Sequence, residues 1–190
     1  DNWTGTVPTI HYTINTGSQS TLNINVTPEP VIDITADPAI AIEGETTGVV
    51  FHVTQSGASE HESTVLFKLD LGELEADDIQ SITYTDTAGV AHNVTLAEAL
   101  AGISISIPAG TAADKMPTVT VVPVDDDVYE ESEGFSASIS NPSKAELGSS
   151  TTANGTFQDE PSGDKPTLNL SADPAIAIEG ETTGVVFHVT

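Results

Sequence analysis

The residues Asp125-Asp126-Asp127-Val128-Tyr129-Glu130-Glu131-Ser132-Glu133 place six carboxylates in nine positions, with no Lys or Arg among them. Two like charges ~4 Å apart near a protein surface repel by roughly 4 kcal/mol. So dense a run is costly in a folded loop unless a cation neutralises it. Carboxylate oxygens are hard ligands that take Ca2+ or Mg2+, and crowded, flexible ones suit Ca2+ with its roughly six to eight ligands. The same run also reads as a solvated acidic loop, or as charge guarding a strand edge. Further acids stand at turns: Glu43 and Glu45 after the first strand pattern, Asp77 and Asp78 after the third, Asp159 and Glu160 after the last. In an antiparallel sandwich such loops can meet at one end.

Other chemistries lack their residues. An EF-hand loop needs Gly at its sixth position, which the 125–133 run does not have, and Gly-Gly-x-Gly-x-Asp nonapeptides are absent. His11, His52, His61, His92 and His188 show no paired metal spacing; His52 and His188 read as exposed strand positions. Two carboxylates could serve a glycosidase as acid and base, but no apolar pocket marks one for a raised pKa. The sole Trp is Trp3, and neither a Gly-x-Ser-x-Gly elbow nor a phosphate-cradling Gly loop occurs. The chain reads as a non-enzyme.

The 190 residues carry 29 acids against four Lys and no Arg, a formal net charge of -25. That balance speaks against nucleic acid, whose phosphates need Lys and Arg, and against an anionic membrane. It suits salty or calcium-rich surroundings, where cations screen the self-repulsion. Without Cys, neither disulfides nor thiolate metal sites are available. No run approaches the ~18 apolar residues of a membrane span, so no membrane insertion is expected. Asp1-Asn2-Trp3-Thr4 reads as the interior of a longer chain, with any targeting signal elsewhere.

The elements that must position these acids are strands. Ala36–Thr54 reads ADPAIAIEGETTGVVFHVT and recurs identically at Ala172–Thr190, an offset of 136 residues. Pro30, Ile32 and Ile34 align loosely with Pro166, Leu168 and Leu170. Nineteen identical residues imply near-identical modules in series, with the second copy too short to close a core alone. Three segments are expected: 1–30, the last strands of a preceding module and a linker; 31–163, a complete module; 164–190, a linker and the first strands of the next repeat. Thr9–Ile14 and Thr21–Val26 alternate as a hairpin around Gly17 and Ser18. Within 31–163, about seven short strands are predicted: a first one before the Glu43 loop, then Val49–Thr54, Val65–Leu69, Ile103–Ile107, Val119–Val121, Phe135–Ile139 and Thr152–Phe157. Their spacing predicts an all-β, Ig-like antiparallel sandwich in a tandem repeat. Leu96–Leu100 reads as one helical turn with Thr95 as N-cap and Gly102 ending it, and Tyr84–Val90 as a small inserted hairpin.

Glu43-Gly44, then Asp126-Asp127-Val128-Tyr129-Glu130-Glu131-Ser132-Glu133-Gly134-Phe135, then Asp159-Glu160 together resemble the pattern of Calx-beta domains over about residues 31–160. The resemblance implies an Ig-like sandwich with calcium held among loops at one end. It implies Glu43, Asp78, Asp125, Asp126, Glu130, Glu133, Asp159 and Glu160 as ligands, with the Val128 carbonyl as a further donor. Asp127 lies in the motif as a ligand or as a residue orienting its neighbours. Gln158-Asp159-Glu160 stands where calcium-binding members often carry three acids, which implies fewer or weaker calcium ions. Near-identical acidic sandwiches rich in Thr and Ser look like the extender region of giant RTX-type bacterial adhesins, which hold a distal ligand-binding region away from the cell. That reading implies a secreted, cell-surface location, with neighbouring repeats of the same chain as partners. A calcium-sensing regulatory module and an adhesive ligand-binding module using residues 73–101 are the alternatives.

Overall fold

The computed structural model describes residues 10–13, 19–22, 28–161, 164–182 and 184–190. β1 (Ile10–Thr13) and β2 (Gln19–Leu22) pair antiparallel, with Ile10 opposite Leu22. The loop at Gly17 and Ser18, Trp3 and the apolar face expected of this hairpin lie outside the described residues.

In chain order there follow β3 (Val31–Ala36), β4 (Ile40–Ile42), β5 (Val49–Gln55), β6 (Ser63–Asp70), β7 (Ile79–Thr85) and β8 (Ala91–Val94). Helix α1 (Leu96–Ala101) leads to β9 (Ile103–Ile107), β10 (Thr118–Pro123), β11 (Glu133–Ser143), β12 (Glu146–Leu147) and β13 (Thr152–Gln158). One sheet runs β12-β3-β5-β10-β7-β8 and the other β4-β13-β11-β6-β9. Alternation decides which residues face inward, because successive side chains of a strand point to opposite faces. Val49, Phe51 and Val53 of β5 are buried, as are Val65, Phe67 and Leu69 of β6 and Phe135, Ala137 and Ile139 of β11. Phe51 is the centre of this core: its ring meets those of Phe67 and Phe135 edge-on, each at 5.9 Å between centroids.

The all-β sandwich is therefore present, with more strands than the seven expected. The additional ones are β4, β7, β8 and β12. β4 and β12 are too short to show alternation, and β7 buries only Ile82 fully, so its pattern is weak. The Tyr84–Val90 segment is not an insertion: β7 is an internal strand paired with β10, and the Asp86 carboxylate folds the turn into β8 by accepting from Ala88 and Val90 N–H, both at 2.9 Å. Two short pairings are parallel, β12 with β3 and β4 with β13. α1 forms as expected, its Thr95 N-cap completed by Glu98 in a capping box and its end marked by Gly102 at φ 108°. His52 is half-buried rather than exposed, its Nε2–H donating to the Asp37 carbonyl at 2.8 Å.

β14 (Leu170–Ala172) and β15 (Phe187–Val189) form a separate pair. Their register, Leu170 to Val189 and Ala172 to Phe187, is that of Ile34 to Val53 and Ala36 to Phe51. The surroundings differ: Phe187 is 66% exposed, whereas Phe51 is fully buried.

The repeat supplies an internal control for packing. A Cβ added to Gly48 would lie 2.3 Å from the Val121 carbonyl oxygen, a backbone atom that cannot swing aside, while one added to the equivalent Gly184 meets nothing within 4 Å. Gly48→Ala should cost ~1–3 kcal/mol and lower the thermal midpoint by roughly 2–10 °C. Gly184→Ala should leave it unchanged, both measured by calorimetry.

Candidate metal centre

The path of the chain explains why distant acids meet. After β3 the chain crosses to the other sheet as β4, which runs parallel beside β13 with Ile42 opposite Gln158. The Glu43 N–H then donates to the Gln158 carbonyl at 2.9 Å, which sets Glu43 next to Asp159 and Glu160. The loop between β6 and β7 is fastened at the same end. Glu73 N–H donates to the Gly134 carbonyl, and Glu73 Oε2 accepts from Gly134 N–H, both at 2.9 Å. Val124 N–H donates to the Asp78 carbonyl at 2.8 Å, so Asp78 is held against the base of the 125–132 loop.

Two groups of three carboxylates result, each with one oxygen per residue within 4.8 Å of the others: Glu43 with Asp159 and Glu160, and Asp78 with Glu130 and Glu133. Six of the nine expected residues are thus brought together. Asp125, Asp126 and Asp127 are exposed and belong to neither group. The Asp125 carboxylate lies against the Gly44 turn, where a Cβ on Gly44 would be 3.2 Å from Oδ1. Asp126 Oδ1 accepts from Val128 N–H at 2.7 Å, shaping the loop, and its charge reaches both Glu43 and Glu130.

The electrostatics of this end are unfavourable as it stands. Glu43 is only 7% exposed. Burial, then the charges of Glu130, Asp126, Asp159 and Glu160, push its carboxyl up to about 7. Burial, then the charge of Asp78, pushes Glu133 up to about 7 as well, with Glu130, a hydrogen bond to Asp78 and Glu75 adding to it. Burial also raises Glu130, with Asp78 the next cause. Among the described residues the one charged-group contact at ion-pair distance is His92 with Asp86, on the β7–β8 hairpin, so no Lys amine lies within that distance of these groups.

Asp164 joins them, although its sequence position alone does not single it out. Its carboxyl lies beside that of Glu160, so that a proton on one can be shared with the other, which raises the Glu160 pKa above its ordinary value. Buried oxygens of Asp159, Glu160 and Asp164 have no hydrogen-bond partner. Orphaned acceptors are what a divalent cation's oxygen shell would satisfy. The linker is drawn in further by Lys165, whose Nζ sits 5.4 Å from the Tyr129 ring centroid.

No protein-family model and no curated protein matches the chain. Among solved structures it is similar to CBD12 from CALX1.2, at 18% identity and a TM-score of 0.45, covering 67% of this chain and 44% of that one. It is similar likewise to the calcium binding domain CBD12 of CALX1.1, at 19% identity and a TM-score of 0.45, with the same coverage. The chain thus spans less than half the length of these structures. A likeness at this level leaves function to the chain's own residues.

The raised Glu43 carboxyl fixes a pH dependence. The unfolded chain releases this proton near 4.5 and the metal-free native state near 7. Between those values the native state binds more protons at this group, so the contribution of Glu43 to stability is greatest below pH 4.5 and is lost as pH rises to 7. For Glu43 the loss is about 3 kcal/mol, at ~1.4 kcal/mol for every tenfold difference in proton affinity. In chelator, Glu43→Gln should flatten this part of the stability profile and be more stable than wild type at pH 8. Urea unfolding at pH 4.5 and pH 8 checks it; an unchanged slope in the variant would refute the assignment.

Proposed function

We propose that the chain is a calcium-stiffened structural module, an extender of a long repetitive bacterial surface protein. The observation that carries the reading is the carboxylate set of buried Glu43 with half-buried Asp159 and Glu160, with no Lys amine at ion-pair distance among the described residues and Asp164 of the linker beside Glu160. Carboxylate-only donors from flexible loops favour Ca2+ over Mg2+, which demands near-ideal octahedral geometry and keeps its water. Calcium in this set would tie the end of β4 to the end of β13 and to the linker at once. The set Asp78, Glu130 and Glu133 would tie the β6–β7 loop to the start of β11. In this reading Asp126 shapes the loop and adds its charge to both groups, and Asp125 lies against the Gly44 turn.

An extender role is supported by the identical 19-residue stretch, since arrays of near-identical modules serve length rather than chemistry. The lack of Cys and the net charge of -25 fit a secreted chain that relies on packing and metal in a saline medium. Its partners would be neighbouring copies of the module in the same chain, and its place the bacterial cell surface, with a ligand-binding region beyond it.

Thermal unfolding of the full chain in EDTA, CaCl2 and MgCl2 tests this. A ligand at ~100 times its Kd stabilises by roughly 2.7 kcal/mol, so Ca2+ should raise the midpoint by about 5–10 °C per site, and Mg2+ far less. Glu43→Gln and Glu133→Gln should each abolish one site's share, counted by calorimetric titration, and Asp164→Asn should weaken only the first. Half-saturation at ~10⁻⁴–10⁻³ M with little change of shape fits an extender, whereas micromolar affinity with a large change would assign a sensor. No calcium-specific shift would leave the acids as a solvated surface.

A further inference from the structure

We propose that Glu73 is a positioning residue for the second carboxylate group, one that without ligating sets the spacing of Asp78 and Glu133 at which that group takes its cation. Glu73 belongs to neither carboxylate group, and its role rests on the metal reading above. The two acids it serves sit in different sheets. Asp78 leads into β7 of the β12-β3-β5-β10-β7-β8 sheet, and Glu133 opens β11 of the β4-β13-β11-β6-β9 sheet. Strand pairing holds each acid to its own sheet. The β6–β7 loop, residues 71–78, crosses between the sheets at this end, so its fastening bears on the distance from one acid to the other.

The fastening replaces a missing rung of a ladder. β6 and β11 pair antiparallel with Ser136 opposite Asp70, so in a continued ladder Gly134 would exchange hydrogen bonds with Gly72. The chain leaves that course at Gly72. Its φ is +60°, its N–H donates to Asp70 Oδ1 at 3.1 Å, and a Cβ there would lie 2.4 Å from the Gly134 carbonyl oxygen. Glu73 takes over both groups of Gly134: its backbone N–H donates to the Gly134 carbonyl and its Oε2 accepts from the Gly134 N–H, each at 2.9 Å. A carboxylate oxygen thus stands where a neighbouring strand's carbonyl would, on the residue next to Glu133. From Glu73 the restraint passes to Asp78 through a compact loop. Leu74 is buried and its N–H donates to the Leu71 carbonyl at 2.9 Å, while Asp78 Oδ2 accepts from Glu75 N–H. Glu73 itself is exposed, so removing its carboxylate opens no cavity.

Calorimetric titration of the full chain with CaCl2 tests this role, each group isolated by the variant that removes the other. In the Glu43→Gln background, where the second group remains, Glu73→Ala should weaken binding by roughly tenfold or more, the effect of losing a group that orients a metal ligand. In the Glu133→Gln background, where the first group remains, the same change should leave affinity unaltered. Glu73→Gln should keep the second group within a factor of about 3 of its full affinity, since its Oε1 can still accept the Gly134 N–H. Hydrogen exchange in EDTA reads the clasp without metal: the Gly134 amide should exchange faster in Glu73→Ala and at the wild-type rate in Glu73→Gln. Should Glu73→Ala lose its cooperative unfolding transition, Glu73→Met keeps the side chain's length without an acceptor and takes its place with the same expectations. Unchanged affinity of the second group in Glu73→Ala, loss in both backgrounds alike, or equal loss in Glu73→Gln overturns the proposal. A wild type that binds no calcium overturns the metal reading and this role with it, whereas two wild-type sites that both ignore Glu73→Ala overturn this role alone.

Discussion

Repulsion among carboxylates that share one end of a sandwich is the constraint on which the rest of this structure depends. Strand pairing alone brings Glu43 to Asp159 and Asp78 to Glu133, because β4 and β13 finish side by side and the β6–β7 loop is pinned to the start of β11. The backbone bonds are formed irrespective of charge state, so the strand ends that carry the acids stay together and only side-chain rotation can separate the charges. What remains is to hold protons, which Glu43 and Glu133 do up to about 7, or to hold a cation. The core opposite, built on Phe51 and its edge-on partners, supplies the rigidity against which that repulsion is stored.

Much of this was legible in the residues. Period-2 alternation over Val49–Thr54, Val65–Leu69 and Phe135–Ile139 marked strands whose inward faces are the observed core. Thr95 and Gly102 bracketed α1 because caps act locally and need no tertiary partner. The acidic loop announced itself by density. Other features depend on contacts far apart in the chain and leave no local trace. β4 and β12 owe their existence to neighbours supplied by β13 and β3. The division of the acids into two groups, and the exclusion of Asp125, Asp126 and Asp127 from both, follows from loop geometry that spacing does not encode. Asp164 looked like linker composition, and only its approach to Glu160 gives it significance.

The repeated segment separates local preference from tertiary effect within one molecule. Both copies form the hairpin with the same register, so pairing belongs to the sequence itself. Burial does not: Phe51 is enclosed and Phe187 open, and Gly48 is crowded by a carbonyl where Gly184 has space. Strand propensity is in this sense a preference for a surface, completed by whatever covers it.

The parallel pairing of β4 with β13 has a mechanical meaning. β4 is continuous with the incoming end of residues 31–158 and β13 with the outgoing end. Tension between those ends draws the two strands past each other along their length. Their hydrogen bonds, including Thr156 N–H to the Ala39 carbonyl and Glu43 N–H to the Gln158 carbonyl, both 2.9 Å, are then loaded together instead of being peeled one after another. Rupture in that geometry requires simultaneous failure, and Glu43, Asp159 and Glu160 stand at the last rung, where any fastener between them would share the load.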